Sequence, residues 1–149
     1  MGEEEEENES SDADCEAFDS DAPYTIHRHP VYIASTAIYL HIRKNWAQFL
    51  TSVESKKEAS FIWQFASSIR DGEMHAVLGV QCLDLGDNQL AVCHFKKAHT
   101  ALNETLQMIN RLSEIYLELV SLPKYQDDLR KRLLDLREIW LRVIQECRR

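Results

Sequence analysis

The stretch that most constrains this fold is residues 74–102, MHAVLGVQCLDLGDNQLAVCHFKKAHTAL, where two apolar stripes meet at a Gly-Asp-Asn turn. The first stripe is Met74, Val77, Leu78, Cys82 and Leu85; the second is Leu90, Ala91, Phe95, Ala98 and Leu102. Both step by three or four residues, the period of an amphipathic helix. Gly86 stands where the first helix should stop, because glycine tolerates the left-handed backbone that ends a helix. Asp87 or Asn88 then supplies a side-chain oxygen to cap the next one. Gly79, Ala91 and Ala98 are small enough to let two helix backbones approach, and Phe95 fills the space between them.

This spacing resembles a tetratricopeptide (TPR) repeat. Leu78-Gly79, Cys82, Gly86-Asp87, Ala91, Phe95 and Ala98 occupy the positions of that motif's large-small pair, medium apolar residue, turn glycine and small-large-small run. His75 stands where the motif often has an aromatic residue, and Asn103 where it often has proline. The resemblance implies an all-α fold of antiparallel helical hairpins stacked as a short TPR-like solenoid, ending in a long C-terminal helix. It also implies work by binding, since solenoids of hairpins present a concave surface to partners.

Composition points the same way on fold class. Four Gly and three Pro in 149 residues disfavour a turn-rich β fold. No apolar run approaches the roughly 18 residues that span a bilayer, so membrane insertion is not expected. The four cysteines (Cys15, Cys82, Cys93, Cys147) form no CxxC pair, which suits reduced thiols in a cytoplasmic or nuclear protein. The net charge of −8 conceals two regions. Residues 1–22 carry eleven carboxylates and no Lys or Arg, leaving 14 acidic against 17 basic side chains, a net +3, in the remainder. Residues 1–22 are therefore expected to be a disordered acidic tail, and 23–149 the TPR-like helical domain. Within the tail, Ser11 and Ser20 precede acidic residues and suit an acid-directed kinase. Phe18 and Tyr24 are the aromatics able to anchor it.

Residues 23–30 read as an extended lead-in strap ended by Pro30, which pre-sets a helix start. His27-Arg28-His29 is expected to be a solvated turn rather than a metal clip, for want of further ligands. A helix follows to about Thr51, with Ala34, Ile38, Ile42, Trp46 and Phe49 or Leu50 inward. Ser55-x-x-Glu58 is a capping box opening a helix over 56–70 with Ala59, Ile62, Trp63, Ala66 and Ile69 inward, closed by Asp71-Gly72. Ala47, Ala59, Trp63 and Ala66 weakly repeat the spacing of Gly79, Ala91, Phe95 and Ala98, which leaves open a degenerate repeat or a plain hairpin. One long helix is favoured from 88 to 121, with Pro123 as the next stop. The last helix, 125–147, carries Leu129, Leu133, Leu136, Trp140, Val143 or Ile144 and Cys147, with an arginine-rich outer face.

No catalytic constellation stands out: there is no glycine-rich phosphate loop, no HExxH and no nucleophile elbow. Cys93-His94 with His99 does not align on one helix face. The expectation is therefore no enzyme, no cofactor and no metal. Acidic residues interrupt the basic last helix, which makes nucleic acid an unfavoured partner. A protein partner is expected instead, with the chain a monomer or a subunit of a larger complex. In the resembled family the first helix of each repeat lines the concave side. That places His41, Lys44 and Gln48, then Ala76, Val80 and Leu83, at a partner-binding surface for a helical or extended peptide. The alternative for the last three is burial beneath neighbouring helices. Alternatives for the whole are a structural or capping subunit of a larger helical assembly, or a three-helix module of the microtubule-interacting-and-trafficking type.

Overall fold

A computed structural model describes residues 25–52, 59–116 and 122–149. The acidic tail, the Ser55–Glu58 capping box and residues 117–121, expected as the last part of the long helix, lie outside the described residues; the described helix ends at Ile115 with Tyr116 as its C-cap. The described residues are all helical apart from the joints: a 3₁₀ turn at Ile26–Arg28, then α1 (Pro30–Ser52), α2 (Ala59–Asp84), α3 (Asn88–Ile115) and α4 (Leu122–Cys147). The 3₁₀ turn corrects the extended strap. It brings Ile26 against the core, and His29 then opens α1 by accepting the Val31 N–H on its Nδ1 at 3.2 Å. Pro30 takes the first helical position, where no N–H is needed. Pro123 is the second residue of α4, in the first turn, where a missing N–H leaves no helical bond unmade.

The central turn forms as its residues dictate. Gly86 has φ of 78°, and the Asp87 carboxylate accepts the Leu90 N–H at 3.0 Å. Asp71-Gly72, by contrast, ends nothing: α2 runs straight through it. Gly72 is buried because its missing side chain is where Tyr39 of α1 rests; a Cβ there would lie 2.2 Å from the Tyr39 hydroxyl oxygen. Glycine inside a helix costs only about 1 kcal/mol against alanine, so close packing can hold it there.

Each helix packs antiparallel to its chain neighbour, and α4 returns to α1, closing a four-helix ring. Three contacts set the pairing of α1 with α2: Tyr39 with Gly72, Arg43 with Glu73, and Trp46 stacked on Phe65 at 4.0 Å. The α4–α1 closure is made by Trp140, whose indole N–H donates to Ser35 Oγ at 3.0 Å and whose ring stacks on Tyr39. Buried polar groups tie other seams. Thr105 donates to Ser68 across α2–α3 at 2.7 Å, and Gln126 Nε2 donates to the Ile109 carbonyl across α3–α4 at 2.7 Å. Such bonds satisfy groups that burial would otherwise penalise.

The inward faces differ from expectation on α1 and α2. On α1, Val31, Ser35, Tyr39, Ile42, Trp46 and Phe49 are buried, while Ala34 and Ile38 are only half-buried. On α2 the buried face is Phe61, Phe65, Ser68, Ile69, Gly72, Ala76, Gly79, Val80 and Cys82. Trp63 is 69% exposed, and Ala47, Ala59 and Ala66 are exposed too, so the weak second copy of the repeat spacing makes no core contact. Met74, Leu85 and Leu90 also point outward. Small residues take the buried positions of α2 because large neighbours press on them: Gly79 faces the Phe95 ring, which a Cβ would meet at 2.8 Å. Ala91, Phe95, Ala98 and Leu102 on α3, and Leu129, Leu133, Leu136, Trp140 and Ile144 on α4, are buried as their spacing predicts.

Candidate functional site

An open groove lies between α1 and α2. It encloses about 540 Å³ and is lined by Arg43, Trp46, Ala66, Ile69, Arg70, Glu73 and Met74. Its floor is apolar: Trp46 and Ile69 are nearly covered, at 6% and 3% exposed, and the Ala66 methyl is exposed beside them. Met74, 45% exposed, walls one end. The rim is charged. Arg43 forms an ion pair with Glu73 across the groove, a contact between partly solvated groups that contributes little to stability. Arg70 touches Asp71 at 3.4 Å and is otherwise turned to solvent, its side chain 67% exposed. Both rim arginines thus have a carboxylate partner, Glu73 for Arg43 and Asp71 for Arg70.

The six residues expected at a partner surface do not come together. Ala76 and Val80 have no exposure at all, being part of the core, and Leu83 is half-buried against that core. This corrects the concave-surface reading for the second hairpin: its inner side is covered by the closed ring, not left open. His41, Lys44 and Gln48 remain on α1 but face different ways. Lys44 is on the solvent side. His41 meets α4, with Nε2 at 3.2 Å from Asp128 Oδ2 and 2.7 Å from Asn45 Nδ2. The His41 hydrogen bond, helped by Arg132, holds the Asp128 carboxyl below its ordinary range against the opposing effect of burial. Gln48 lines a more polar α1–α4 hollow with Asn45, Ser52, Lys124 and Asp128.

Two further clusters pair residues far apart in sequence. His75 of α2 and His94 of α3 stack with ring centroids 5.5 Å apart and Nδ1 atoms 3.2 Å apart. Burial foremost, then His94 and Lys97, hold the His75 imidazole below its usual range, with Asp71 opposing. A cavity of about 380 Å³ between α2 and α3 is bordered by Trp63, Asp71, Glu104 and Arg111, among others. Cys93, adjacent to His94, is exposed, and His99 contacts Asn103 instead. Among the described residues, no three His, Cys, Asp or Glu side chains converge as metal ligands, and no helix is long and apolar enough to cross a membrane.

The groove residues escaped the sequence reading because its signal is a gap between helices, not a stripe on one. The i, i+4 spacing of Ala66, Arg70 and Met74 reads as an ordinary solvated face. No family model, no curated protein and no solved structure matches this chain.

Proposed function

We propose that this protein is a non-catalytic interaction module that binds an acidic, aromatic-bearing peptide segment of a partner protein in the α1–α2 groove. The observation that carries the reading is the groove itself: exposed Ala66 and Met74 beside the nearly covered Trp46 and Ile69, with two partly solvated arginines at the rim, Arg43 paired with Glu73 and Arg70 with Asp71. An aromatic side chain on such a floor gains burial at roughly 25 cal/mol per Å² of apolar area. Flanking carboxylates then gain guanidinium partners, which orient the chain. Trp63, three helical turns before Met74 on the solvent side of α2, adds a further exposed apolar ring at the border of the α2–α3 cavity.

The TPR likeness belongs to the central hairpin alone. Gly79 against Phe95, the left-handed Gly86 and the capping Asp87 support it. The hairpin's helices are longer than a 34-residue repeat accommodates. Binding in this reading is therefore assigned to a seam of a closed bundle, and the compartment is proposed as cytoplasm or nucleus.

Display selection of random peptides on the full chain tests the proposal. Enriched peptides should carry an aromatic residue flanked by Asp or Glu, and should lose binding to Ala66→Glu protein that melts like wild type. Enrichment of peptides without that pattern, or equal retention by the variant, refutes it. The second reading, a structural subunit of a larger helical assembly, is favoured by Ile33 and Leu40 on α1 and by Leu134 and Leu141 on α4. These are exposed apolar pairs two turns apart. Concentration-dependent sedimentation would favour that reading over a monomeric adaptor.

A further inference from the structure

The geometry points to a solvent-open site for a divalent transition cation such as Zn²⁺, held between Nδ1 of His75 on α2 and Nδ1 of His94 on α3. The ion clips the two helices of the central hairpin together, and water fills its remaining positions. The site is independent of the α1–α2 groove and of any partner bound there.

The first observation is how the two rings face. Their Nδ1 atoms are 3.2 Å apart while their centroids are 5.5 Å apart, and their planes lie 26° from parallel. Each ring therefore presents its Nδ1 edge to the other. Two neutral imidazoles cannot both turn a lone pair into that gap without repulsion, so something positive stands between them, a proton on one Nδ1 or a cation. The second observation is distance. Two nitrogens bound to one Zn²⁺ at ~2.0–2.1 Å with a tetrahedral angle lie about 3.3–3.4 Å apart, a separation this pair nearly has. Tilting each ring about its soft terminal torsion brings both lone pairs onto one ion. Both rings are half-buried, so an ion on their open side is reached from solvent.

The third observation is what surrounds the pair. Asp71 stands one turn before His75 on α2 and its charge acts on that imidazole, favouring a cation there, while Lys97 on α3 opposes it. Among the described residues no third His, Cys, Asp or Glu completes a ligand set. The ion therefore keeps two protein ligands and exchanges with solvent, unlike a structural zinc closed by four. Cys93 adds no ligand, since it is exposed and a step of about 100° around the helix from His94. The other meeting of a histidine with a carboxylate, His41 with Asp128, is a poorer seat. Asn45 already engages the His41 Nε2 at 2.7 Å, and Arg132 brings a positive charge to Asp128 at 3.4 Å.

Zinc titration of the full chain, stripped of metal beforehand, tests the site. Raising free Zn²⁺ to about 100 µM should lift Tm by several degrees, because an ion that binds only the folded chain stabilises it by mass action. His75→Gln and His94→Gln, both at half-buried positions, should each abolish the rise. Mg²⁺, which prefers oxygen ligands, should not reproduce it. The chain holds six histidines, and in ring-proton NMR spectra of the wild type the resonances of His75 and His94 should move with Zn²⁺. That second readout holds even where a variant fails to fold. A Tm rise that persists in either variant overturns the proposal, because it places the ion elsewhere, on the carboxylates of residues 1–22 or on a thiol. An equal rise with Mg²⁺ overturns it as well, being a general charge effect on a chain of net charge −8. So do His75 and His94 resonances that stay in place at that Zn²⁺ concentration.

Discussion

Gly72 offers the sharpest check on why this bundle closes as it does. A Cβ at Gly72 would lie 2.2 Å from the Tyr39 hydroxyl oxygen and 2.9 Å from the ring carbon that bears it. That hydroxyl is wholly buried and has no hydrogen-bond partner among the described residues, and burial pushes its pKa well above the ordinary phenol range. Gly72→Ala therefore combines two opposed effects. Helix propensity favours alanine by about 1 kcal/mol, whereas forcing a methyl group into a filled contact costs about 1–3 kcal/mol. The net expected is a loss of about 0–2 kcal/mol. Tyr39→Phe removes both the nearest clashing atom and an unsatisfied buried hydroxyl, and should stabilise the protein by about 1 kcal/mol. In the Tyr39→Phe background Gly72→Ala should cost less, since only the ring carbons, the nearest at 2.9 Å, still stand against the methyl, a coupling on the order of 1 kcal/mol. Urea unfolding followed by helical circular dichroism on the four proteins of the cycle measures it. If Gly72→Ala destabilises both backgrounds equally, Gly72 is not held by contact with Tyr39 and the account of its burial is wrong.

Two further outcomes are expected. Gly79→Leu should lower stability by at least about 1–3 kcal/mol, because the Phe95 ring already stands 2.8–3.0 Å from where even a Cβ would be; unchanged urea unfolding would contradict the close α2–α3 approach. The His75–His94 seam should make the fold acid-sensitive. Folded His75 resists protonation, so below the ordinary imidazole pKa of about 6.5 the unfolded chain binds more protons and stability falls as pH drops. His75→Gln should flatten the decline of Tm below about pH 6.5, with a residual slope from His99, whose pKa burial and Arg137 also lower. An identical slope in wild type and variant would remove the seam from the explanation.

Legibility in the sequence followed the range of the interaction. The central turn was readable because its chemistry is local: Gly86 takes the backbone angle that glycine favours, and Asp87 caps three residues ahead. The faces of α3 and α4 were readable because their apolar residues form clean stripes, from Ala91 through Leu102 and from Leu129 through Trp140. On α1 and α2 the stripes are ambiguous, since apolar residues occur nearly all around. There the buried face was chosen by partners far along the chain. Ser35 went inward to meet Trp140, and Ala76 and Val80 became core instead of groove. Trp63, the largest apolar side chain on α2, was left outside because Phe61 and Phe65 won the contact with Trp46.

Helical class, the Gly86 turn and the split between an acidic start and a mildly basic remainder follow from residues and their near neighbours, because hydrogen bonding, capping and net charge act over one or two turns of chain. Ring closure, the meaning of Gly72 and the α1–α2 groove were decided by tertiary packing. A glycine reads the same in sequence whether it ends a helix or admits a tyrosine ring, and only the helix laid against it tells the two apart.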